Sequence, residues 1–208
     1  MGGVFMKKFA KYLWISLILA FVFSCATAIV QKRTLKESVI RFHVVAHSDD
    51  QKDQQLKLLV RDAILEELQP AISALPNMDA AKTYLQENLH QIQKIADNAL
   101  MAAGSDQRSR VTLEQETFGF RQYDTFALPS GVYESLRISI GEAQGKNWWC
   151  VVFPSLCMPA VGENFSDAAA GAGFDDGLAN TLQQKKGYEI HFFFLDWLGW
   201  LENLFFRK

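Results

Sequence analysis

The apolar residues of this chain change period twice, and that change sets its fold class before any single residue is considered. From Val39 to Ala46 they alternate. Ile40, Phe42, Val44 and Ala46 share one face and Arg41, His43, Val45 and His47 the other, the period of a half-buried strand. From Leu56 to Ala99 they recur at helical spacing in two blocks. The first block, Leu56, Leu59, Val60, Ala63, Ile64 and Leu68, predicts a helix that ends near Gln69, ahead of Pro70 and Pro76. Ser48-Asp-Asp-Gln51 reads as its capping box. The second block, Ala81, Leu85, Leu89, Ile92, Ala96 and Ala99, predicts a helix from about Asn77 to Gly104. Alternation then returns at Val111 to Thr117, at Leu136 to Ile140 and at Trp148 to Phe153. The turns between them are marked by Leu128-Pro-Ser-Gly-Val132 and by the polar run Gly141 to Lys146. Two adjacent helices followed by strands joined through short turns predict an α+β domain, with the helices packed on a mainly antiparallel sheet.

That domain is expected over residues 38–158. Residues 159–184, rich in Gly, Ala and Asp, have little core-forming content and read as a flexible insert. Residues 185–208 read as a C-terminal strand, Tyr188 to Leu195, followed by an aromatic amphipathic helix bearing Trp197, Leu198, Leu201, Leu204 and Phe205. That helix is expected to pack back on the sheet. A membrane surface is its alternative partner, although only Arg207 and Lys208 supply positive charge there.

The N-terminus decides the compartment. Lys7, Lys8 and Lys11 precede an apolar run from Tyr12, followed by Ser24-Cys-Ala-Thr-Ala28. A basic start, an apolar centre and a small-residue site form a secretory signal, with residues 1–28 removed after Ala28. The same run reaches Val30 without a charge, about the 20 residues that a membrane span needs, so a signal anchor ending at residue 30 is the alternative. Either way the remainder is exported. Outside the cytosol, Cys150 and Cys157 are expected to pair. Their Cα atoms must then approach to about 4.4–6.8 Å, so the chain reverses between them. Either Phe153-Pro154 is cis, or the loop is wider and irregular.

The net charge of −2 offers no electrostatic footprint for nucleic acid. His43 and His47 lie four residues apart on a strand, about 13 Å, too far for one metal ion. The sequence implies no metal, no cofactor, and no catalytic elbow or phosphate loop. Trp148 and Trp149 point to opposite faces of their strand, so one can be core while the other is presented.

Several blocks resemble the stage II sporulation protein R family: Ile40-Arg-Phe-His-Val-Val-Ala-His-Ser-Asp49, Asp53-Gln54, Leu56-Lys57, Val60-Arg-Asp-Ala63, Leu128-Pro-Ser-Gly-Val-Tyr-Glu134, Leu136-Arg137, Ile140-Gly-Glu142, Gly145-Lys-Asn-Trp-Trp-Cys150 and Phe153-Pro-Ser-Leu-Cys157. His47 and Ser155 depart from the family's usual Asn and Pro. The resemblance implies a signalling protein exported from the forespore into the intermembrane space. There it would trigger a membrane-embedded signal-transducing aspartic protease of the mother cell, which removes the pro-sequence of a sigma factor. The expected contact residues are His43, Asn147, Trp148 and Trp149. The alternative is an exported cell-wall hydrolase using His43 with Glu134 or Glu142 as acid and base.

Overall fold

In the computed structural model, residues 2–123, 126–157, 182 and 190–206 are described. The strand predicted first, β1 (Ile40–Val45), is the innermost element, and every residue in it is buried. It is not half-exposed, because it is an inner strand of a four-stranded sheet with apolar clusters on both faces. After the helices α2 (Gln51–Ser73) and α3 (Met78–Ala102) come β2 (Ser109–Phe118), the two-residue strands β3 (Arg121–Gln122) and β4 (Ala127–Leu128), β5 (Gly131–Ile140) and β6 (Asn147–Phe153). The sheet order is β2-β5-β1-β6. β1 runs parallel to β5 and antiparallel to β6, and β2 is antiparallel to β5. The sheet is therefore mainly antiparallel with helices packed on it, an α+β fold as the periodicity predicts.

Helices α2 and α3 cover one face. Ile40, Phe42 and Val44 of β1, with Leu136, Ile138 and Ile140 of β5, meet Val60, Ile64, Leu85 and Ile92 there in the larger cluster. Asn77 caps α3 by accepting the Ala80 amide at 2.9 Å. The start of α2 differs from the predicted capping box. Asp50 occupies the N-cap without a side-chain bond, and Ser48 lies two residues earlier. Ser48 Oγ accepts the Asp50 amide and donates to Asp53 in the first turn, so it is bonded locally one residue out of the box register, while Asp49 accepts the Lys146 amide from the β5–β6 turn. Nor does Pro70 end α2. It forfeits one helical hydrogen bond, but the buried Leu68 and Ile72 carry the helix on to Ser73.

The other face of the sheet is covered in part by the second cluster, in which Leu35, Val39, Phe118, Phe126, Leu128, Tyr133 and Val151 meet. Leu35 belongs to α1 (Gly2–Lys36), one continuous helix that carries the apolar run. The expected C-terminal strand is not formed over its described part. Ile190–Phe206 is one helix, here α4. Its aromatic residues suit either periodicity, and docking against α1 and β5 selects the helix. Leu182 packs in the second cluster; otherwise the expected insert lies outside the described residues.

Candidate functional site

Parallel pairing of β1 with β5 and antiparallel pairing with β6 put Arg137, His43 and Trp149 in one row across the sheet, on the face away from α2 and α3. His43 is buried and stacks flat on the Trp149 indole, with centroids 4.7 Å apart and planes 3° apart. Phe118 meets both rings edge-on, and the Arg121 guanidinium lies over Trp149. Such stacking positions each ring by the electrostatics of its π-face as well as by burial.

Glu116, on β2, pairs with Tyr133 beside that row and on the same face, and its side chain reaches both basic groups. Its Oε2 accepts from His43 Nε2 at 2.6 Å and its Oε1 from Arg137 at 3.0 Å. Burial pushes the Glu116 carboxyl up, but the hydrogen bond and charge of His43, with the Arg137 hydrogen bond, outweigh it and hold the group down at about 2. An ionised carboxylate only accepts, so His43 Nε2 carries a proton. His43 Nδ1 faces Asn147 Oδ1 at 3.4 Å. Among the described residues no nucleophile is hydrogen-bonded to this imidazole. The arrangement orients a ring rather than activating an attacking group.

This row opens on a groove of about 490 Å³ lined by His43, Glu116, Arg137, Asn147, Trp149 and Phe206. Three of the four expected contact residues thus line one concavity. Trp148 does not. It lies on the helix face, edge-on to Phe42 and under Arg61. Neither tryptophan is wholly core or wholly presented, since each half-buried indole closes the border of a different cluster.

The acid–base pairings expected for a hydrolase are not formed. Glu134 pairs in register with Ile40 and binds Lys82 of α3, so it lies on the opposite face from His43. Glu142 is exposed beyond the end of β5, where its amide donates to His47 Nδ1 at 3.0 Å. His47 is thereby committed to the turn joining β5 to β6. Its own carbonyl accepts the Gln144 amide, and Ala46 accepts that of Gly145. A Cβ on Gly145 would stand 2.1 Å from the Ser48 carbonyl oxygen, so this close approach requires glycine.

Beside Trp149, Cys150 and Cys157 form a disulfide with Cα atoms 5.2 Å apart. The Phe153-Pro154 peptide is cis, the first of the two expected solutions. The Leu156 amide returns to the Val151 carbonyl and closes the reversal.

Arg41, Glu116, Phe118 and Arg121 join the site without having been singled out by sequence. Arg41 is fully buried with its guanidinium 4.0 Å over the Phe118 ring, donating to the Tyr123 hydroxyl. Burial pushes its pKa down. The one available signal was alternation. Arg41 shares the phase of His43 on β1, and the β2–β5 register sets Glu116 on the same face.

Residues 36–163 match the sequence model of a family described as stage II sporulation protein R. The chain is similar to the stage II sporulation protein R of Bacillus subtilis (strain 168), with 28% identity over 191 residues, covering 81% of this chain and 84% of that protein. No solved structure matches significantly.

Proposed function

The chain belongs to the stage II sporulation protein R family, and on that premise we propose that it is an exported signal that activates a membrane-embedded aspartic protease of the mother cell. The protein acts from the space between the two membranes, reached from the forespore through the apolar N-terminal segment. Activation leads to processing of a pro-sigma factor. The observation that carries this reading is the locked row in the groove. His43 is fixed by a flat stack on Trp149 and by a carboxylate that Arg137 also holds. Its rotamer freedom is spent before any partner arrives, which lowers the entropic cost of recognition. An aromatic ring flanked by arginines is the composition of an interface hot spot.

Trp149 is then the recognition residue of the pair, and Trp148 supports the helix face. The test is co-expression of the exported protein with the protease and its pro-sigma substrate. Trp149→Ala is expected to abolish processing while secreted protein accumulates normally. Trp148→Phe, which keeps an aromatic ring beside Phe42, is expected to process as wild type. Full processing by Trp149→Ala would show that the groove is not the contact surface.

A further inference from the structure

Helix α4 turns Asp196 and Glu202 inward and Trp197, Trp200 and Phe205 outward. Asp196 accepts the Ser130 amide at 2.8 Å, Asn203 donates to the Phe118 carbonyl, and Glu202 bridges Lys32 and Lys36 of α1. Gly199 lies directly on Ser130. Trp197, Trp200, Leu204 and Phe205 are left exposed, between 47% and 88%, while Phe206, 55% exposed, borders the groove. Trp197, Trp200 and Leu204 follow helical spacing of three and four residues, so they form one stripe, with Phe205 beside it.

The height of this stripe relative to a bilayer follows from the ion pairs. Residues 12–30 of α1 carry no charge and would extend about 28 Å, close to the ~30 Å hydrocarbon thickness. Lys32 is the first charged residue after that run, so it marks the level at which α1 leaves the hydrocarbon. Glu202 is tied to Lys32 and to Lys36 one turn further on, so it lies within about 6 Å of that level. Along α4, Trp197 is about 7.5 Å and Phe205 about 4.5 Å from Glu202 at 1.5 Å per residue. Whatever its tilt, α4 therefore keeps the backbone of its exposed aromatic residues within about 14 Å of that boundary, and their side chains can reach back towards it. Tryptophan and phenylalanine on one face of a helix are suited to this layer.

We propose that the outward stripe of α4 lies in the lipid–water interface beside the exit of α1, so that the domain touches the membrane through a second element and is held at a set orientation. This rests on insertion of α1 and not on the identity of the protein partner. The test uses the full chain, with Cys25→Ser and the Cys150–Cys157 disulfide intact, in phosphatidylethanolamine–phosphatidylglycerol vesicles. Nitroxide labels are placed singly at Phe205→Cys, at Leu17→Cys as the insertion reference and at Met101→Cys as the aqueous reference. The ratio of oxygen to water-soluble nickel collisions at position 205 is expected to exceed that at 101 by roughly tenfold, with position 17 also lipid-like. A water-like label at 205 with a lipid-like label at 17 overturns the proposal. Low collision with both reagents at 205 would show protein covering the stripe, and overturns it equally. A water-like label at 17 removes the premise, and the proposal with it.

Discussion

Glu116 holds two basic groups at once, His43 through one oxygen and Arg137 through the other. Its carboxyl is depressed from 4.5 to about 2, so its contribution to stability is fully present above pH 4.5 and is lost as pH falls through about 2. Glu116→Gln is therefore expected to lower the Tm at pH 7. The gap from wild type should close as both proteins are melted at successively lower pH from 4.5 towards 2. A constant gap across that range would show that the carboxylate is not the ionised partner of His43. The sequence placed His43, Asn147, Trp148 and Trp149 as contact residues, and the structure brings three of them together and sets Trp148 on the other face. No sequence signal chose Glu116 over Glu114, because a one-dimensional pattern assigns a face but not which side chain reaches which neighbour on it. Seventy-three positions separate Glu116 from His43, and only β-strand pairing makes them adjacent.

At the scale of elements, the helices were legible because each carries several apolar residues at one spacing, and a proline or glycine, Pro76 or Gly104, follows each within three residues. The boundaries were less so. Pro70 marks a helix end by its chemistry, but the burial of Ile72 in the core favours one more turn. The C-terminal segment shows the same competition. Isolated, Tyr188 to Leu195 suits a strand, whereas the docked chain from Ile190 onward is helical. Gly199 is where that docking is closest, since a Cβ there would fall 1.4 Å from the Ser130 carbonyl oxygen. Gly199→Ala cannot be absorbed by a side-chain rotation, because the obstacle is backbone. It is expected to cost about 1–3 kcal/mol as overpacking. Chemical denaturation should show this loss, while an alanine at Trp200, which is 53% exposed, should be within about 0.5 kcal/mol of wild type. Equal midpoints for the two variants would mean that α4 does not seat on Ser130.

At the scale of the whole molecule, α4 clasps the end of α1 to the sheet. Burial raises the Glu202 carboxyl's pKa, but hydrogen bonds and charge from Lys32 and Lys36 outweigh it and hold it below the usual range. Glu202→Gln leaves both lysines without their carboxylate. Amide exchange along α4 is expected to accelerate roughly tenfold, with β1 and β5 unchanged. Unaltered exchange in α4 would show that its apolar seat alone holds it. The sequence by itself determined the fold class, the order of the central elements, the apolar N-terminal segment and the cysteine pair, because each is encoded in local spacing or composition. The tertiary structure alone decided the central place of β1, the parallel β1–β5 pairing, the face on which each tryptophan lies and the partner of His43. These depend on which strands lie side by side, a choice made by the burial of both faces of the sheet at once rather than by any short stretch of residues.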